Sequence, residues 1–466
     1  RSPTRFSAAG SGHALAPATP SRRRCSAAEP SPALSLRPPI RRAALALIFL
    51  VLATLTAGSE AFAASAPAGP KPPAARLVTG SPGPVPAGFE VREVRVPLDT
   101  AGRAADLRLL FPAGFGRKAD RLAQEAGFAL ATLARLWGPP PGDGFSLLLS
   151  PLELLPASLP ERSQVVLVER FGDPFREEAE ALCLALARQW WRDLFAGDGS
   201  EEPYLEEGLV TYTAARLFAV RHGGRPAGVR IGGLALPLPL PPLTPFEAMR
   251  ARLLAGAPID PLARDRGSYG DRASRALLTH DGMALALAEI ASRLGEERFD
   301  QGLALFAARH RGGRARADDL VRALSAVAVD DLWPLWQELT GEPGLSDFAV
   351  TRVRSEPDPS TPGRMVSQAL IVHRSGPRLP LVVELRFADG SRQRVFWDAR
   401  AAWLRLHATG PRLVEVHLDP GESGLLVHGK ADDARLVVPD PGPRRRFTQR
   451  LRFFAQLVLE ALADLA

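Results

Sequence analysis

Residues 181–212 read ALCLALARQWWRDLFAGDGSEEPYLEEGLVTY. Apolar residues recur at helical spacing over Glu177–Phe195 and again over Tyr204–Val220, which predicts two helices in close succession. Polar and aromatic side chains punctuate both: Arg188, Gln189 and Trp190 on the first, Glu207, Thr211 and Tyr212 on the second. The same period continues through Thr279–Leu294, Phe299–His310 and Asp318–Ala326, so the middle of the chain is predicted to be helical. Pro-rich Leu234–Pro245 interrupts it and is predicted to be an irregular loop, because proline neither donates to a ladder nor continues a helix.

On the N-terminal side, Val91–Pro97, Asp106–Phe111, Gly144–Ser150 and Gln164–Val168 are short runs bounded by Gly and Pro, and they predict strands. Between them Lys118–Leu136 carries Leu122, Ala126, Leu130, Leu133 and Leu136 at helical spacing and stops before Pro139-Pro140-Pro141. On the C-terminal side, Phe348–Val438 reverts to short alternating runs with turn signals at Ala388-Asp389-Gly390 and Asp419-Pro420-Gly421. The expected class is therefore α+β. A mixed sheet lobe spans 88–174, a helical lobe 175–345, and an all-β segment 346–440 follows.

The whole chain has 466 residues and a formal charge of +7, with 58 basic residues of which three are lysine. Location matters more than the total. Residues 1–42 hold eight arginines and one acid, so the body is neutral and lacks the basic footprint that nucleic-acid binding needs. Arg41-Arg42, the uncharged run Ala43–Ala57 and Ala61-Phe62-Ala63 form a secretory pattern, too short for a bilayer span. Residues 1–63 are thus read as an upstream segment and signal peptide cleaved after Ala63, with retention as an anchor the alternative. The first methionine is Met249, so a start near Leu34 or Leu36 is expected and residues 1–35 are set aside. Residues 64–87 are a Pro/Ala-rich linker. The expected location is exported, periplasmic or extracellular. Cys183 is the one cysteine after the signal, which leaves no intrachain disulfide and no cysteine metal cluster.

The segment 441–466 opens with Arg444, Arg445, Arg446, Arg450 and Arg452 and continues with Phe453, Phe454, Leu457, Val458, Ala461, Leu462 and Leu465 at helical spacing. It predicts an amphipathic helix. Peripheral membrane contact through 444–466 and docking of its apolar stripe on protein are the two readings.

The frame Gln189-Trp190, Glu207-Gly208 and Thr211-Tyr212 resembles the membrane alanyl aminopeptidase family of gluzincin zinc metallopeptidases. There, H-E-x-x-H precedes Gln-Trp and a second helix carries Asn-Glu-Gly-x-x-Thr-Tyr. Asp281-Gly282, Leu294-Gly295-Glu296-Glu297-Arg298-Phe299, Asp318-Asp319-Leu320 and Asp331-Leu332-Trp333 continue the likeness. The resemblance implies a thermolysin-like, gluzincin catalytic-domain fold followed by a β-sandwich. It also implies convergence of positions 184, 188 and 207 on one point.

The chemistry departs from the frame. Leu184 and Arg188 stand at the two histidine positions, Ala185 at the general base and Thr279 at the oxyanion tyrosine, leaving Glu207 as the single ligand retained. A guanidinium cannot coordinate zinc, and one carboxylate does not hold it. No zinc or other cofactor is therefore expected, and no catalytic residue is assigned. Gln164–Val168 stands where exopeptidase members bind the substrate amine. Gln189, Trp190, Tyr212 and His280 are the candidate groove residues, with core packing the simpler reading for Trp190 and a hydrogen-bonded structural role the simpler one for His280. Tyr269 is a spare phenol that could face the cleft. The expected function is binding or scaffolding of an extended peptide or protein partner; the alternative is a hydrolase of the aminopeptidase family with a rearranged site. If Glu207 stays inward without a cation it needs a partner, and Arg188 is expected to pair with it while Leu184 fills the ligand space.

Overall fold

The computed structural model describes residues 85–464 apart from 100–101, 141–143, 157–162, 170–172, 192–193, 196–201, 232–233, 238–240, 266, 311–312, 422–423, 425, 428–431 and 439–441. The signal segment, its cleavage site and most of the linker lie outside the described residues.

Strands β1 (Phe89–Pro97), β2 (Ala104–Pro112), β3 (Gly144–Ser150) and β4 (Gln164–Leu167) form a sheet in that order. The first pair is antiparallel; β2, β3 and β4 run parallel. Helix α1 (Gly116–Trp137) makes the β2-to-β3 crossover and buries Leu122, Ala126, Leu130 and Leu133, the face its spacing predicts. β1 and β4 are the edge strands, and α2 (Glu177–Trp191) packs beside β4.

The helical region comprises α2, α3 (Pro203–His222), α4 (Pro245–Gly256), α5 (Arg272–Leu277), α6 (Met283–Leu294), α7 (Glu296–His310), α8 (Ala317–Ala328) and α9 (Trp333–Gly341). A π-turn, Leu278–Gly282, joins α5 to α6. Both α3 and α6 are buried over most of their surface, so they form the centre of the region. Trp191 is fully buried against Trp137 and Phe306, and its indole donates to Thr213 Oγ1 at 2.8 Å. Arg216 grips Asp300 through two hydrogen bonds, and Trp137 donates to the same carboxylate at 3.1 Å. Glu178 is buried with Lys118 and Arg121 as partners, tying α2 to α1. One hydrophobic core runs unbroken from the first sheet through these helices.

The stretch Leu234–Pro245 is not wholly irregular. Gly228–Ile231 (β5) and Leu234–Pro237 (β6) pair as an antiparallel hairpin, since Leu234, Ala235 and Leu236 can enter a two-stranded ladder before Pro237 ends it. Pro245 opens α4 behind a capping box: Thr244 Oγ1 accepts from Glu247 N at 3.2 Å, and Glu247 Oε2 accepts from Thr244 N at 2.8 Å.

Beyond α9 the chain is all β. Strands β7 (Asp347–Pro357), β8 (Met365–Ser375) and β11 (Trp403–Gly410) form one sheet in the order β11-β8-β7. Strands β9 (Leu381–Phe387), β10 (Arg392–Trp397), β12 (Leu413–Leu418) and β13 (Ala434–Leu436) form another in the order β10-β9-β12-β13. Phe348, Val350, Ile371, Val383, Leu385, Trp397 and Val416 from both sheets share a second core. Leu345, Leu379 and Leu426 instead join the first core and anchor the β region to the helices. The molecule is thus α+β. Helix α10 (Gly442–Asp464) closes the described chain; from Thr448 onward it belongs to a separate compact unit.

Candidate functional site

Glu207 sits in the second turn of α3, and its carboxylate is the focus of the site. Arg188, near the end of α2, donates from Nη2 to Glu207 Oε2 at 3.3 Å. The expected pair is formed, but it is shared. His280 Nε2 lies 3.2 Å from the same oxygen.

Three local features bring these residues together. Gly208 follows Glu207 where α3 meets α6, and a Cβ there would collide with the Met283 side chain, so the helices approach this closely only over glycine. The π-turn then sets the rotation of His280, placing the ring on Glu207 while Thr279 turns inward. Finally, Arg252 of α4 clamps the neighbouring Asp281 with hydrogen bonds of 2.6 and 2.9 Å, fixing the turn against α4.

The protonation of His280 follows from its surroundings. Nδ1 faces the Ala276 carbonyl at 2.8 Å, an acceptor, so it carries a proton. Nε2 faces the Glu207 carboxylate, an arrangement that favours the doubly protonated ring. Burial pushes His280 down, but the hydrogen bond and charge of Glu207 outweigh it and raise it above its ordinary 6.5. Burial likewise pushes Glu207 up, while His280 first and Arg188 second hold its carboxyl at about 2. Glu207 is 34% exposed and Arg188 41%, so the cluster lies at a wet surface rather than in a dry cleft. Glu180, an acid on the same helix as Arg188, pairs with Arg225 at 3.0 Å instead.

The remaining expected positions divide clearly. Leu184 is half-buried and packs against the core beside the cluster, and Ala185 is buried. Thr279 is buried, with its hydroxyl donating to the Arg275 carbonyl at 2.9 Å, and so is turned away from any substrate carbonyl. Two candidate groove residues are corrected. Trp190 is 2% exposed and stacks on Phe145, and Tyr212 is 3% exposed against Phe299 and Phe246, so both are core residues. Gln189 mimics a peptide group instead of lining a groove: it accepts from Ser146 N at 2.9 Å and donates to Ser146 O at 3.2 Å, fastening α2 to β3. Tyr269 donates to the Leu262 carbonyl at 2.7 Å and is likewise committed. Cys183 is buried, and burial pushes its thiol up to about 12, far from a reactive thiolate.

The donor set around Glu207 does not fit zinc. Leu184 offers no ligand atom and Arg188 brings permanent positive charge to the one carboxylate, which leaves only Glu207 and His280 to supply ligand atoms where zinc takes at least three from the protein. Among the described residues no group of three or more His, Cys, Asp or Glu is arranged for a metal ion.

No known family model and no curated protein sequence matches the chain. Among solved structures it is similar to Legionella pneumophila aminopeptidase A, crystallised in complex with aspartic acid, at 16% identity and a TM-score of 0.48. The match covers 73% of this chain and 38% of that one, so this chain spans well under half of that protein's length.

Proposed function

We propose that this chain is an exported, zinc-free relative of the membrane alanyl aminopeptidases that binds an extended peptide or protein segment without cleaving it. The observation that supports this reading is the Glu207 carboxylate, held by the Arg188 guanidinium at 3.3 Å and the His280 ring at 3.2 Å. Two organic cations satisfy the charge that zinc would neutralise, and neither can polarise a scissile carbonyl as a Lewis acid. With Ala185 at the base position and the Thr279 hydroxyl committed to Arg275, water activation and oxyanion stabilisation both lack a group.

The helical region and first sheet are read as a gluzincin-like lobe pair, and the two sheets sharing a core after residue 346 as a β-sandwich. The edge position of β4, with Leu167 half-exposed, supports pairing of an extended segment along that strand. Export rests on the pattern of residues 41–63.

The test is paired. Purified protein is incubated with aminoacyl chromogenic amides and with a labelled denatured protein, and binding of unstructured peptides is followed by fluorescence anisotropy. The reading expects no turnover, together with saturable peptide binding that Leu167→Glu weakens. Turnover that disappears in Glu207→Ala would instead support the rearranged hydrolase. Absence of both turnover and peptide binding would refute the peptide-binding reading.

A further inference from the structure

Helix α10 carries five arginines between Arg444 and Arg452, and its acids, Glu460 and Asp464, lie at its far end. On a 3.6-residue period Phe447, Leu451, Phe454, Val458 and Leu462 fall on one stripe with Arg444 at its N-terminal end, while Arg445 and Arg452 flank it on one side and Arg446 and Arg450 on the other; Phe453 falls on the opposite face. The N-terminal half is open to solvent: Arg445, Arg446, Gln449, Arg450 and Arg452 are all exposed. Leu451, at the centre of the stripe, is 59% exposed, an unfavourable position for a leucine in water. No described helix is long and apolar enough to cross a membrane.

An apolar stripe bordered on both sides by arginine matches a surface whose apolar interior lies beneath a sheet of negative charge. We propose that α10 lies in the plane of an anionic lipid bilayer, with Leu451 and the rest of its stripe among the acyl chains and Arg445, Arg446, Arg450 and Arg452 on lipid phosphates. The planar fork of arginine suits phosphate, and its long stem lets the charge reach the headgroups while the helix axis sits lower. Two bordering rows of arginine favour a plane over a groove in an acidic protein, which would meet only one flank at a time. The inference stands on α10 alone and does not depend on the peptide-binding reading.

The experiment uses the full chain and two sets of vesicles, one of phosphatidylcholine and one containing phosphatidylglycerol. Hydrogen exchange of the 445–463 amides is the local readout, because it reports on α10 itself and not on the arginines and apolar run of residues 1–57, which every variant shares. Slowed exchange in α10 with phosphatidylglycerol vesicles, and not with phosphatidylcholine, is expected. Each arginine near a charged surface is worth about 1 kcal/mol, so replacing Arg445, Arg450 and Arg452 by Gln should weaken that protection roughly 100-fold in lipid concentration. Leu451→Glu should abolish it with the arginines intact. Unchanged exchange on adding anionic vesicles, equal protection by both lipids, or protection that survives either variant would overturn the proposal. So would protection without lipid that rises with protein concentration, which would assign the stripe to a second copy.

Discussion

Arg188, Glu207 and His280 form one ion cluster, and their exposure sets the energy involved. A buried pair would lose about 3 kcal/mol when Arg188 is truncated. With the guanidinium 41% exposed and His280 still in place, Arg188→Ala should cost about 1 kcal/mol or less in denaturant unfolding. Gly208→Ala should cost more, roughly 1–3 kcal/mol, because the added methyl meets Met283 and forces α3 from α6. The cluster also predicts a pH signature. His280 is raised above 6.5 in the folded state, so its contribution is fully present below pH 6.5 and is lost as pH rises through the folded value. Glu207 is lowered from 4.5 to about 2, so its contribution is present above pH 4.5 and is lost as pH falls towards 2. The difference in melting temperature between the parent and His280→Gln should therefore be largest between about pH 4.5 and 6.5 and shrink on both sides. A pH-independent difference would show that His280 only packs. The Arg188–Glu207 pair was legible because a carboxylate and a guanidinium stand 19 residues apart on two successive predicted helices. His280 was not legible as the third member: the π-turn that rotates it onto Glu207 changes backbone register without changing composition.

At the scale of elements, long amphipathic segments were readable and special geometry was not. The spacing of Leu122, Ala126, Leu130 and Leu133 placed α1 almost to its ends, since a single stripe packs on a single sheet. Helix α4 was missed although Thr244-Pro245-Phe246-Glu247 is a capping-box start, because the prolines before it drew the reading towards a loop. Helices α5 and α9 were missed as well; each is short, α5 being held by its Asp271 cap and α9 by the burial of Trp336 and Leu339, so neither shows a helical period. Thr244→Ala should destabilise the protein by about 1 kcal/mol, a loss measurable by urea unfolding. Asp281→Asn should cost roughly 1.5–3 kcal/mol and should also reduce the pH signature of His280, because Arg252 then no longer pins the π-turn.

Across the whole molecule, one core serves the first sheet and the helices while a second serves the two later sheets. The boundary near residue 346 was legible as a change of period from helical to alternating. The continuity of the first core was not, since nothing local announces that α1 and β4 pack on α2. A fragment spanning 346–440 has its own core and is expected to fold. It should also expose Leu379 and Leu426, which the helical region covers in the full chain, and so bind an apolar dye at a face that the full chain buries. The central claim, that an organic ion cluster stands where a metal would, is tested most directly by metal content. The purified full chain is equilibrated with zinc, separated from free ion and analysed for metal, alongside Glu207→Ala. The account predicts no stoichiometric zinc in either protein. One zinc per chain in the parent, lost in Glu207→Ala, would contradict it.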